Sequence, residues 1–398
     1  MRILVGLVTI GMTLASAGPA NGIPAFARKY GVSCSMCHSP APRLNAFGEM
    51  FAANGFEFAI GEQARDTMHT GDPLLRLQRG FPLAVRLDAF VQGYSKAPAD
   101  GAKIDLQTPW NIKILSGGQI AEKVSYYMYF FLSERGEVAG LEDAYVQFTD
   151  LAGTGVSVML GQFQVSDPMF KRELRLEHED YQVYRVRVGD ARADITYDRG
   201  VMALASPWKG GDVAVQLLNG RGLSAAGENR LFDRDTWKTY SVRVSQDVGP
   251  LRIGGFGYLG HEREQDADNR IRVFGPDVTL ALGQTVELNG QYLRRQDTDP
   301  LFTGSRTDSE VDAMMLELIW GPQGPTGRWF FTGLYNGVES DTRIFTIRQG
   351  EAGPLDSYRS LALGGTYVIR RNLRWLGESQ WNLDGGGTRL TLGLVAAF

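Results

Sequence analysis

Cys34-Ser35-Met36-Cys37-His38 holds both cysteines of the chain and one of its four histidines. Two thiols three positions apart, with an imidazole on the next residue, have the spacing of covalent c-type haem attachment. The thiols add to the porphyrin edge as thioethers, and the following histidine is then held under the ring where it can ligate iron. On this reading Cys34 and Cys37 attach one c-type haem and His38 is the proximal iron ligand. A disulfide, half of a zinc site and a thioredoxin-like redox pair use the same residue types. Zinc needs two further Cys or His ligands at matching spacing, and the next histidine is His69. A redox pair follows a strand and opens a helix in a βαβ unit, a pattern missing around these residues.

Three residues are candidates for the distal iron ligand. Met50 is reachable only if the chain rounds the ring edge within about three helical turns. Met68 and His69 have ample slack. Met50 also reads as a core residue beside Phe47, and His69 as a solvated loop histidine. A ligand lent by the following part of the chain, or none, stays open.

Two short helices position the motif. Pro24 to Tyr30 followed by Gly31 reads as a helix stopped by glycine. Pro42 opens a second, with Leu44, Phe47, Met50 and Phe51 on one side and Asn54-Gly55 closing it. Phe26, Tyr30, Leu44, Phe47 and Phe51 are the expected haem-packing residues. Residues 21–80 thus form a small α-helical monohaem cytochrome c segment. So short a segment makes little core of its own, and a bound macrocycle supplies the centre.

Ahead of it, Arg2, the apolar run Ile3 to Leu14 and the small residues Ala15-Ser16-Ala17 read as a signal peptide over residues 1–20. A retained N-terminal anchor helix is the other reading of that run. The formal net charge of -4 leaves no basic footprint and argues against nucleic acid as a partner. Forty-nine glycines and 11% aromatics, with no apolar stretch of helix-spanning length after the signal, point to β-structure with many turns.

Residues 81–398 alternate with period two. Tyr240, Val242 and Val244 interleave with Thr239, Ser241, Arg243 and Ser245, and Leu390, Leu392 and Leu394 with Arg389, Thr391 and Gly393. A soluble sandwich shares that period, but three features favour a membrane barrel. Segments such as Pro82–Tyr94, Lys123–Glu134 and Asn269–Leu282 are about twice the usual length of soluble strands. Aromatic runs such as Tyr126 to Phe131 suit interfacial girdles. Tight joins at Gly249-Pro250, Gly283-Gln284 and Arg371-Asn372 fall between long connections such as Ser166–Ala191 and Arg221–Thr236. The expected class is mainly β, an outer-membrane antiparallel β-barrel of about 16 strands in a lipid bilayer. With short turns in the periplasm, a chain ending on Phe398 ends there too. The haem segment then meets the barrel at its periplasmic mouth, hanging outside or folded up into the lumen. His261 to Asn269 reads as an outer loop whose carboxylates attract a cation or are merely solvated. Lys171 to Arg175 with His178, in the longest loop, read as a pore constriction or a surface ion-pair cluster.

The runs Pro24 to His38 (PAFARKYGVSCSMCH) and Leu44 to Phe56 (LNAFGEMFAANGF) resemble the head of the fused monohaem cytochrome–porins of bacterial outer membranes, whose best-known members are iron(II) oxidases. The order of parts resembles that family along the whole chain, while the specific motifs lie in the first sixty or so residues. The resemblance implies electron transfer through one haem, from an extracellular donor, Fe²⁺ foremost, to a periplasmic carrier such as a soluble cytochrome. As an enzyme it would be an iron(II):cytochrome c oxidoreductase. Rival readings are a solute-conducting porin with a haem plug or sensor, a haem enzyme such as a peroxidase, and outward electron export.

Overall fold

The computed structural model describes residues 25–63, 65, 67–97, 101–233, 235–264, 266–347 and 353–398. The expected signal peptide lies outside them.

Alternation of polar and apolar side chains over long segments can satisfy a membrane only if the sheet closes, because hydrocarbon offers no partner to an unpaired backbone edge. The sheet does close. Its sixteen strands are β1 (Leu83–Tyr94), β2 (Ile104–Ala121), β3 (Val124–Glu134), β4 (Gly140–Phe148), β5 (Val156–Phe163), β6 (Asp198–Trp208), β7 (Gly211–Leu218) and β8 (Thr239–Val248), followed by a second eight. These are β9 (Leu251–Glu264), β10 (Ala267–Leu282), β11 (Val286–Asp297), β12 (Ser309–Trp320), β13 (Trp329–Ser340), β14 (Ser357–Arg370), β15 (Leu373–Asn382) and β16 (Thr388–Ala397). Each pairs antiparallel with its neighbour, and β16 pairs with β1 from Arg389 opposite Tyr94 to Ala397 opposite Arg86. Thr239, Ser241, Arg243 and Ser245 of β8 are buried toward the lumen, while Tyr240, Val242 and Val244 are exposed outward. Outside, Leu259, Leu316, Leu363 and Leu392 continue the apolar surface. Each such side chain gains roughly 1.5–3 kcal/mol in leaving water. Trp320, Trp329, Phe331 and Tyr367 cluster near the short turns, as an interfacial girdle does. A closed barrel with this apolar outer band is built to span a membrane.

Glu122-Lys123, Lys209-Gly210, Gly249-Pro250 and Arg371-Asn372 make tight turns at one end. The other end carries most of the long connections, but His261 to Asn269 is not a loop. β9 and β10 run on through it to a tight hairpin, in which Asp268 accepts from Arg263 at 2.9 Å and sits 3.0 Å from His261 Nε2. Strand pairing has absorbed the expected outer loop.

The connection from Gln164 to Tyr197 folds back into the lumen. Tyr181, Val183 and Tyr184 from this loop pack with inward Met202, Tyr258, Leu293, Met315 and Leu334 in one hydrophobic core. Inward carboxylates and amides hold its backbone: His178 N–H and Glu179 N–H donate to Glu378 at 2.7 and 3.0 Å, and Gln182 N–H to Asn336 at 3.0 Å. The charged stretch is therefore not a surface cluster; it lies inside the barrel, the place of the constriction reading. Arg172 donates to Asp180 at 3.0 and 2.5 Å and Lys113 to Glu173 at 2.7 Å, with Arg172, Asp180 and Lys113 buried and Glu173 mostly so. The loop crosses the lumen as a plug.

Two helices precede the barrel among the described residues. α1 (Ala25–Tyr30) ends on Gly31, whose φ of +65° is the left-handed turn that glycine allows. α2 (Ala46–Ala53) starts later than Pro42 suggests, because Asn45 is the cap, its side chain accepting from Gly48 N–H at 3.0 Å. Leu44 stays outside the helix and bridges to His38. This segment sits up in the short-turn mouth. Gln147 of β4 donates to Ala53 O at 2.7 Å, Arg43 pairs with Glu287 of β11, and Phe56 stacks on Tyr127 of β3 with ring centroids 5.4 Å apart.

Candidate functional site

Ser33 caps a single 3₁₀ turn over Cys34–Met36, and His38 N–H closes it onto Cys34 O at 2.9 Å. Cys34, Cys37 and His38 then line one cavity of about 270 Å³ between the head and the barrel mouth. His38 Nδ1 lies 2.9 Å from Pro42 O and 3.3 Å from Arg43 O. Carbonyls only accept, so Nδ1 carries the proton and Nε2 keeps its lone pair. Burial holds the imidazole below its ordinary pKa. A neutral imidazole held this way could ligate a metal through Nε2, and its backbone partner is of the kind that metal-binding histidines characteristically have.

The two thiols are not joined to each other, and burial raises the pKa of both. Among the described residues, no three His, Cys, Asp or Glu side chains converge on a metal-ion position, so the half zinc site lacks its other half. The turn is braced from behind by α2, where a Cβ on Gly48 would stand 2.2 Å from Cys37 O. Gly48→Ala should force the helix off the turn, at a cost of about 1–3 kcal/mol. Thermal unfolding of the purified protein should show the loss.

The head supplies an aromatic wall. Phe26 stacks on Phe56 at 4.8 Å and meets Phe51 edge-on at 5.4 Å, while Tyr30 donates to Phe56 O at 2.6 Å. Phe26, Tyr30, Leu44 and Phe51 all line the cavity with Cys34, Cys37 and His38. Phe47 does not; it turns to Phe58, with centroids 5.9 Å apart.

The distal candidates are not brought together with them. Met50 is 42% exposed and absent from the lining. It follows Gly48 by two positions, about 200° round the helix, while the cavity face is Gly48, Phe51 and Ala52. Met68 lies exposed in a two-residue ladder, Thr67–Met68 against Leu77–Gln78. His69 is exposed beyond it, its Nδ1 accepting from Gly71 N–H at 3.1 Å.

The barrel and plug provide what the head does not. Tyr127 and Tyr129 of β3, Tyr145 of β4 and Lys171, Glu173 and Leu174 of the plug line the far wall. Tyr129 and Phe131 are buried inward, so alternate residues of the Tyr126 to Phe131 run serve the lumen and not an outer girdle. The period-two pattern contained that signal, since aromatic residues on both faces cannot all meet lipid. Gly117 of β2 makes room for the head, for a Cβ there would stand 2.9 Å from Phe26 Cζ.

A closed barrel of sixteen antiparallel strands with a long connection folded inside can be compared directly with solved structures. The anion-selective porin from Comamonas acidovorans superposes with a TM-score of 0.58 at 12% identity, over 80% of this chain and 99% of its own. This is a porin fold. The outer-membrane channel DcaP of Acinetobacter baumannii matches with a TM-score of 0.54 at 10% identity, over 79% of this chain and 96% of its own. OmpF of Salmonella typhi, in complex with daunomycin, matches with a TM-score of 0.54 at 10% identity, over 83% and 100%. At such identities the likeness is one of fold. No protein-family model and no curated relative matches the chain by sequence.

Proposed function

We propose that this porin-fold chain moves electrons across the outer membrane through one c-type haem held in its periplasmic mouth. On this reading residues 1–20 are removed on export, 21–80 are the monohaem segment and 81–398 the barrel. The observation that carries it is the attachment turn itself: Cys34, Cys37 and a neutral His38 with Nε2 free all face one cavity. A haem bound there would supply a one-electron centre. Cys34 and Cys37 would hold its edge, His38 Nε2 would ligate the iron, and Phe26, Leu44 and Phe51 would keep water off it. The barrel brings donor and carrier toward one centre, since a hydrocarbon core about 30 Å thick is too wide for one tunnelling step. The resemblance of the head supplies the donor, Fe²⁺ outside, and the acceptor, a periplasmic carrier such as a soluble cytochrome.

The test is stopped-flow mixing of the purified protein with Fe²⁺ in detergent, after haem content has been measured. Haem bands that shift to the reduced form on mixing are expected. A haem-loaded protein indifferent to Fe²⁺ removes iron oxidation and leaves outward electron export.

A second reading, a solute-conducting channel with the head as plug or sensor, is what the fold likeness supports, because the matched structures include an anion-selective porin. Against it stands the core packed across the lumen. Single-channel recording in planar bilayers separates the two, with steady open-pore conductance favouring the channel.

A further inference from the structure

The haem reading leaves one charge problem, since the macrocycle carries two carboxylate arms at the edge away from its thioethers. Buried carboxylates need cations or several N–H donors. Four cations line the cavity: Arg86, Lys171, Arg371 and Arg374. Arg86 donates to both oxygens of Asp88 at 2.8 and 2.9 Å. Lys171 donates to Asp167 at 2.7 Å, and Arg371 to the carbonyls of Thr326 and Gly327 at 2.6 and 3.3 Å. Arg374 differs. It is 5% exposed, and its Nε and Nη1 are buried with no hydrogen-bond partner.

Position strengthens the contrast. Arg374 points inward from β15, two residues above the turn Arg371-Asn372, and lines both the haem cavity and a smaller polar one of about 40 Å³ beside it. An unpartnered guanidinium is among the costliest groups to bury, and its planar fork matches a carboxylate. Asp88, its acidic neighbour, is already committed to Arg86.

Building on the haem reading above, we infer that Arg374 is the barrel's anchor for a haem propionate, fixing the ring to β15 as Cys34 and Cys37 fix it to the head. The competing account is a water in the smaller cavity linking Arg374 to Glu177, whose Oε1 is also buried without a partner.

Haem-loaded Arg374→Gln, Arg374→Lys and Glu177→Gln proteins in detergent decide between them by resonance Raman of the propionate bending mode and by redox titration. Removing a cation beside the haem favours the oxidised state. Arg374→Gln should therefore move the bending mode and lower the midpoint potential by at least a tenfold change in the redox equilibrium, about 59 mV for one electron. Arg374→Lys, which keeps charge and loses the fork, should move the mode with a smaller fall in potential, and covers the case of a Gln variant that does not fold. Glu177→Gln should leave the mode unmoved. A bending mode indifferent to Arg374, or moved equally by Glu177→Gln, overturns the assignment alone. Wild-type protein lacking covalent haem overturns the haem reading and this assignment with it.

Discussion

A chain carrying Cys34→Ala and Cys37→Ala together should assemble as a closed barrel in the outer membrane yet contain no covalently attached haem. Closure depends on β16 meeting β1, and no residue of the head takes part in that register. The head itself should suffer. Its aromatic wall faces a cavity and not a packed interior, so without a macrocycle a segment of this size has too little core to hold its shape. Haem staining on denaturing gels should fall to background while heat-modifiable barrel persists in the membrane fraction, and limited proteolysis should cut between residues 25 and 80. His38→Ala, tested beside it, should keep the thioethers and lose the low-spin spectrum. Haem staining that survived loss of both cysteines would sink the attachment reading outright.

The second large effect is expected from the plug. Replacing residues 168–190 by a short glycine-serine link should turn a poorly conducting barrel into an open one. The loop supplies Tyr181, Val183 and Tyr184 to the lumenal core, and its removal would leave inward polar residues such as Glu317, Asn336 and Glu378 facing water. A barrel of sixteen strands leaves an aqueous channel once nothing fills it, so conductance should rise roughly tenfold or more over wild type. The same deletion removes Lys171, Glu173 and Leu174 from the cavity that Cys34, Cys37 and His38 line, so on the electron-transfer reading the haem spectrum should change as well. Wild-type conductance already equal to that of the deletion would mean that the loop is no seal, and the channel reading would replace electron transfer.

Much of the barrel was legible because period two is a property of the chain alone. The alternation in β8, β14 and β16, the tight turn Arg371-Asn372 and the end at which the head docks follow from local pattern and loop length. That Cys34, Cys37 and His38 come together was legible for a similar reason, since five consecutive residues carry them and one short turn brings them to the same cavity. What was hidden lay in long-range packing. Nothing local in Gln164 to Tyr197 says that its carbonyls and amides will find partners on β7, β9, β11, β13 and β15 and not in water. Helical periodicity grouped Phe47 and Met50 with Phe51, yet helix α2 meets the cavity through Gly48, the face on which a residue without a side chain permits the closest approach. Tyr127, Tyr129, Tyr145 and Arg374 reach the site from strands that span the membrane, and strand pattern gives only inward or outward, never which inward residue meets the head.

The seating of the head in the mouth has a consequence for how firmly it stays there. Among the described residues its fastenings include the Arg43–Glu287 pair, hydrogen bonds from Gln147 to Ala53 O, Gln119 to Glu62 O, Gln78 to Gln119 O and Ser39 to Pro325 O, and the stack of Phe56 on Tyr127. Between two separate molecules, contacts of this kind would be subject to dilution. Here the head runs into β1 within a few residues of Gln78, and a short tether holds it at an effective concentration of about millimolar or above. The docked state is in that sense a property of chain connectivity. A single cut between Gln78 and Leu83 would turn a permanent fitting into a reversible ligand, free to leave the mouth on dilution.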